Sequence, residues 1–149
     1  MKKPSPESSS IITQQFEDLT GVLLPLDQVE QLKKIGDPLF TPEEVNASSD
    51  LLVHTFRRLC AEESITMDYF CEKYKHYAIT VLGKTPQAAA NNRANIIKML
   101  KRGERLSWKK FLELTQLVLG LKPETISIVF SVIKSQEQIK ISTKAADMR

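Results

Sequence analysis

The chain has 149 residues, 42% of them hydrophobic and 26% charged, with a formal net charge of +3 at neutral pH. That length holds one well-buried core but not two large domains, and the composition is too apolar for a disordered chain. No apolar run approaches the roughly 20 residues that span a bilayer, and Met1 to Ser10 lacks the apolar stretch of a signal peptide, so a cytoplasmic protein without a membrane partner is expected.

Residues 1–10 are Pro, Ser and charge without periodicity and read as a mobile tail. Ile11, Ile12, Phe16 and Leu19 share a face of a short helix that Gly21 can end. After a break forced by Pro25, Val29, Leu32 and Ile35 mark a second helix ending at Gly36. Thr41, Pro42 and Glu44 form a capping box with proline in the first helical position. Ser48, Ser49 and Asp50 offer another start before Leu52, Phe56, Leu59 and Cys60, so one bent helix or two short ones fit.

Met67, Phe70, Cys71, Tyr74, Tyr77, Ala78, Val81 and Leu82 recur at three and four residues and stop at Gly83, which predicts a long amphipathic helix. Aromatics at helical spacing are core residues far more often than a base-stacking platform. Lys73 and Lys75 then fall on its solvated side. Thr85 and Pro86 begin the next segment, whose apolar positions Ala89, Ile96, Ile97 and Leu100 run to Gly103. Asn91 and Asn92 interrupt it, and either a tight turn between two short helices or one continuous helix is compatible with them.

Ser107 caps a helix in which Trp108, Phe111, Leu112, Thr115, Val118 and Leu119 share a face, and Gly120-Leu121 suggests a Schellman-type end. Pro123 and Glu124 open a last segment, Ile126 to Ile133, read as helix despite its β-branched residues. A short strand or arm around Ile139 and Ile141 follows. The expected architecture is all-α: a tail (1–10), an acidic helical region (11–65), a compact helical domain (66–134) and a C-terminal arm (135–149).

Catalytic signatures are missing: there is no Gly-rich phosphate loop, no GxSxG elbow and no HExxH pair. Glu43 with Glu44 and Glu62 with Glu63 read as helix-terminal or surface charge. His54 and His76 read as surface or half-buried side chains. Cys60 and Cys71 lie inside helical patterns and read as buried free thiols, their spacing unlike a structural zinc site. Neither an enzymatic activity nor a cofactor is expected.

Charge is the informative property. Residues 1–65 hold eleven acidic and six basic residues, whereas Lys73 to Lys110 carries ten cations against Glu104 alone. A field polarised in this way favours a polyanionic partner over the bland solvated face that most basic stretches form. The run RANIIKMLKRGERLSWKKFLELTQLVLGL within this region resembles the second half of a lambda-repressor-like helix-turn-helix domain of the Cro/C1 type, with contracted spacing.

That resemblance implies a first motif helix over Thr85 to Ala90, a turn at Asn91 and Asn92, and a recognition helix from Arg93 to Arg102. Asn92, Arg93 and Asn95 would then read base edges, arginine suiting guanine and asparagine adenine. Lys98, Lys101, Arg102, Lys109 and Lys110 would meet phosphates, flanked by Lys84, Gln87 and Asn91. The expected function is a sequence-specific, double-stranded DNA-binding transcriptional regulator, of a kind frequent in mobile genetic elements, acting as a homodimer. The alternative is a helical adaptor or chaperone-like module whose basic face meets an acidic protein.

Overall fold

The computed structural model describes residues 23–33, 35–47 and 50–147, with side chains as far as residue 137. The expected tail and first short helix lie outside the described residues. What is described is all-helical: α1 Leu26–Leu32, α2 Pro42–Asn46, α3 Leu51–Glu62, α4 Met67–Thr80, α5 Pro86–Arg102, α6 Trp108–Leu112 and α7 Pro123–Asp147. A π-helical turn, Glu113–Val118, continues α6. No named strand occurs among these residues; a single bridge joins Pro38 to Thr66. No helix among them is long and apolar enough to cross a membrane.

Local chemistry sets most boundaries. Pro25 stands in the N-cap position of α1. Thr41 and Glu44 form the full capping box of α2, with Thr41 N–H donating to Glu44 Oε1 at 2.8 Å and Glu44 N–H to Thr41 Oγ1 at 3.2 Å. Asp50 accepts from Val53 N–H at 3.1 Å, so α2 and α3 are two helices rather than one bent one. Thr85 and Ser107 cap α5 and α6 in the same way, each accepting at 3.1 Å from the amide three residues on.

Packing then arranges the helices: α3 lies along α7, α4 along α5, α1 on α4 and α2 on α3. One apolar core runs through them, from Val29 and Phe40 to Val129 and Ile133, and is shared by the acidic region and the segment beyond residue 65. Its spine is aromatic. Phe40, Phe56, Phe70, Tyr74 and Tyr77 follow one another at centroid separations of 6.1 to 6.4 Å, which confirms the α4 aromatics as core. Cys60 and Cys71 are buried and free, and burial pushes the Cys60 thiol well above its ordinary pKa.

Several expectations are corrected. Ile35, Val81 and Leu82 are exposed, because α1 ends at Leu32 and α4 at Thr80, before those positions can turn inward. Lys75 is 1% exposed rather than solvated, and Asp68 and Glu72 on the same helix are also buried, so α4 is enclosed on more than one side. Trp108 is 52% exposed, whereas Leu114 is fully buried. Each π-helical turn holds an extra residue, which rotates the inward face between Phe111 and Val118. The arm around Ile139 and Ile141 is instead a helical continuation of α7, a helix of about 37 Å at 1.5 Å per residue.

Candidate nucleic-acid interface

Helix α5 runs unbroken through Asn91 and Asn92. The turn placed there is not formed, and the division into a first motif helix and a separate recognition helix does not hold. Asparagine costs a helix interior only about 0.7 kcal/mol relative to alanine. Against that, Ala89 on one side of the pair and Leu100 on the other are buried, with Ile96, Ile97 and Met99 half-buried against the core. Burial at both ends outweighs the local preference for a turn.

The continuous helix produces a face that two short helices would have split. Gln87, Asn91, Asn95, Lys98 and Arg102 are all exposed and succeed one another at three or four residues, the spacing of one side of a helix, and the exposed Lys84 and Arg105 lie just before its N-cap Thr85 and just after its C-cap Gly103. No aspartate or glutamate occurs between Glu72 and Glu104. Arg102 makes only a long contact, 3.5 Å, to Glu104 on the exposed surface. Seventeen residues span about 25 Å, so the face is a ridge of cations and amides, one helix wide.

Arg105, exposed in the loop after Gly103, adds a cation beside the end of this face although it was not among the expected contacts; its place in the basic run of the sequence is the signal that finds it. Lys109 is exposed on α6. The other proposed contacts are differently placed. Asn92 and Arg93 are half-buried on the flank of α5. Lys101 turns back to Glu44, 2.7 Å from its Oε1, with its ammonium 5.2 Å from the Phe40 ring centroid. Lys110 pairs with Glu113 at 2.6 Å.

The C-terminal end of α5 is held by an unexpected residue, Arg57, 3% exposed on α3. Its Nη1 donates to the Glu44 carbonyl at 2.5 Å and its Nη2 to the Leu100 carbonyl at 2.6 Å and the Lys101 carbonyl at 3.3 Å. The guanidinium also lies 5.4 Å from the Phe40 ring centroid. Burial draws its pKa down, and the Glu44 carboxylate pushes back. Gly103 ends α5 at φ +73° in a Schellman motif, and a Cβ there would stand 3.4 Å from Arg57 Nη2. Arg57 thus ties α2, α3 and the end of α5 together.

Burial acts to raise the Glu44 carboxyl pKa, but hydrogen bonds from Lys101 and Thr41 outweigh it and hold the group below its ordinary value. At Glu113 burial is likewise outweighed, by Lys110 and the Tyr77 hydroxyl, which donates to Glu113 Oε2 at 2.9 Å. A carboxyl depressed in the folded state contributes stability above its unfolded pKa and loses it as pH falls through the folded value. Chemical denaturation at successive pH values should therefore show stability declining below the ordinary glutamate range, with a shallower decline in Glu44→Gln.

The histidines take structural positions. His76 Nε2 lies 2.8 Å from the Leu24 carbonyl, and His54 Nδ1 3.6 Å from Glu137. Among the described residues no group of His, Cys, Asp and Glu is arranged to hold a metal ion. Comparison with known proteins finds no family model, no curated protein and no solved structure that matches this chain.

Proposed function

We propose that the protein is a double-stranded DNA-binding regulator that lays the outward face of α5 into the major groove. The observation that carries this reading is the exposed α5 face from Gln87 to Arg102, preceded by Lys84, with no acidic residue in the sequence from there until Glu104. A major groove about 12 Å wide admits one helix. Asn91 and Asn95, with Gln87, suit adenine edges there, and Lys84, Lys98, Arg102 and Arg105 suit phosphates on either side. Asn92, Arg93, Lys101 and Lys110 support the helix and its surroundings instead of reading bases.

One helix reads few base pairs, so the active species is a homodimer binding two half-sites. Selection of bound sequences from a random duplex pool at physiological salt tests this. Recovery of a palindromic site is expected; a pool that emerges unenriched contradicts sequence-specific binding.

A second reading, a helical adaptor, is favoured by a different observation: Ile128 and Val132, one turn apart on α7, are 65% and 47% exposed while Ile126, Val129 and Ile133 fill the core. Such an outward apolar pair fits a helical partner. Affinity capture from nuclease-treated lysate separates the readings. A stoichiometric protein that remains after digestion supports the adaptor, and a partner lost with the nucleic acid supports the regulator.

A further inference from the structure

Beside the end of the α5 ridge lies a cavity of about 530 Å³ between the start of α3 and the loop leading into α6. Its wall is Trp108, its other apolar surfaces are Leu51, Leu52 and Leu106, and Arg105 and Asp50 also line it. The indole is oriented by its neighbours. It stacks on Phe111 at 5.6 Å and 30° and meets Phe130 edge-on at 5.6 Å and 72°, yet keeps half of its surface in solvent. A large aromatic held in place by two others and left half uncovered loses little freedom when a flat ring stacks on it.

The charges around the cavity select what that ring is. Arg105, exposed in the loop just beyond the end of α5, is a lining residue of the cavity, and Lys109 is exposed one residue beyond Trp108. Between the α5 face and Arg105 the sequence places one acidic residue, Glu104, in a long 3.5 Å contact with Arg102. A nucleotide matches two of these features: a π face for Trp108 and a phosphate for Arg105. We propose that this cavity takes an unstacked base from a single-stranded end or gap of the nucleic acid bound along α5. The proposal rests on the reading of α5 as a nucleic-acid face, and it adds a preference for duplex joined to single strand.

Trp108 is the only tryptophan in the chain, so its fluorescence reports from the cavity alone. The full chain is titrated with a blunt duplex, with the same duplex bearing a short single-stranded overhang, and with that overhang built from abasic units. The base-bearing overhang should quench Trp108 and bind more tightly than the blunt duplex by roughly 5- to 150-fold, the range for stacking one base on an aromatic side chain. The abasic overhang should return to blunt affinity without quenching. Trp108→Ala should abolish the preference. Arg105→Ala, an exposed position outside the core, should reduce it with the thermal midpoint unchanged, which keeps the test independent of folding.

Equal affinity for base-bearing and abasic overhangs, with Trp108 unquenched, overturns the cavity and leaves the α5 reading standing. A separate arm uses adenosine monophosphate at millimolar concentration. Quenching by the mononucleotide with no retention of any duplex removes the α5 reading and keeps the cavity as a base site. No quenching in any arm overturns the proposal.

Discussion

Replacing Lys98 and Arg102 together by glutamate is expected to abolish retention of duplex DNA at physiological salt, with affinity falling by roughly 100-fold or more, while the thermal midpoint barely moves. Both side chains are exposed and one turn apart on α5, so on the proposed reading reversing them removes two phosphate contacts and substitutes two repulsions. Surface changes away from buried features usually shift stability within about 0.5 kcal/mol. Electrophoretic mobility shift together with a thermal melt measures both effects. An unaltered affinity would place the nucleic-acid contact elsewhere or remove it.

The contrasting change is Lys101→Glu. Lys101 and Lys98 are both lysines of one helix, and the resemblance assigned them the same role, but Lys101 is paired with Glu44. A glutamate there would face another carboxylate beside the Phe40 ring, so the loss should appear first in stability. DNA binding should suffer only as far as the end of α5 is disturbed. The pair of variants separates a charge that is offered to a ligand from one already satisfied within the fold.

The largest effect on stability is expected at Arg57. Arg57→Met keeps much of the apolar stem but removes the donors to the Glu44 and Leu100 carbonyls and the cation over Phe40. Hydrogen bonds to a charged group contribute about 1.5–3 kcal/mol each, and buried carbonyls left unpaired add to the loss, so a cost of about 3–5 kcal/mol is expected in urea denaturation. Against a typical total of about 5–15 kcal/mol, that is enough to unfold a large part of the population on warming. Arg57→Lys should recover part of the loss, because one ammonium cannot match a planar fork that reaches two helices. A shift within 0.5 kcal/mol for Arg57→Met would show that the end of α5 is held by packing alone.

The elements that were legible in the sequence are those whose cause is local. Thr41 with Glu44, Asp50, Thr85 with Pro86, and Ser107 all satisfy the first amides of the helix they begin, and each does so within three residues. The glycine at 103 and the aromatic face of α4 are equally local signals. What escaped was decided across the core. Continuity through Asn91 and Asn92 depends on Ala89 and Leu100 being buried together, and the Lys101 pairing joins residues 57 positions apart. Arg57 looks like any basic residue next to Arg58 until α2 and α5 bring carbonyls to it. The π-helical turn has no spacing signature of its own, so the burial of Leu114 between Phe111 and Val118 does not follow from the three-four pattern.

The candidate site follows the same division. Its residue types and its acid-free character are properties of the sequence, and seven of the eleven proposed contact residues are exposed. Which cations remain available is a property of the packing: Lys98, Arg102 and Arg105 face outward, and Lys101 and Lys110 are taken by Glu44 and Glu113. The resemblance to a helix-turn-helix domain located the basic helix, while the continuous course of α5 puts Gln87 to Arg102 on one face of a single helix.

The most direct measurement is the salt dependence of duplex binding by the wild-type chain and by Lys98→Ala. With Lys84, Lys98, Arg102 and Arg105 on four phosphates, the logarithm of affinity should fall against the logarithm of salt concentration with a slope of about −3.6, each contact contributing about 0.9. Lys98→Ala should flatten that slope by about one unit, whereas Glu44→Gln, which alters only the internal pair, should leave it near the wild-type value. A slope near zero, or one that Lys98→Ala leaves unchanged, contradicts the assignment of the α5 face as the surface that binds DNA.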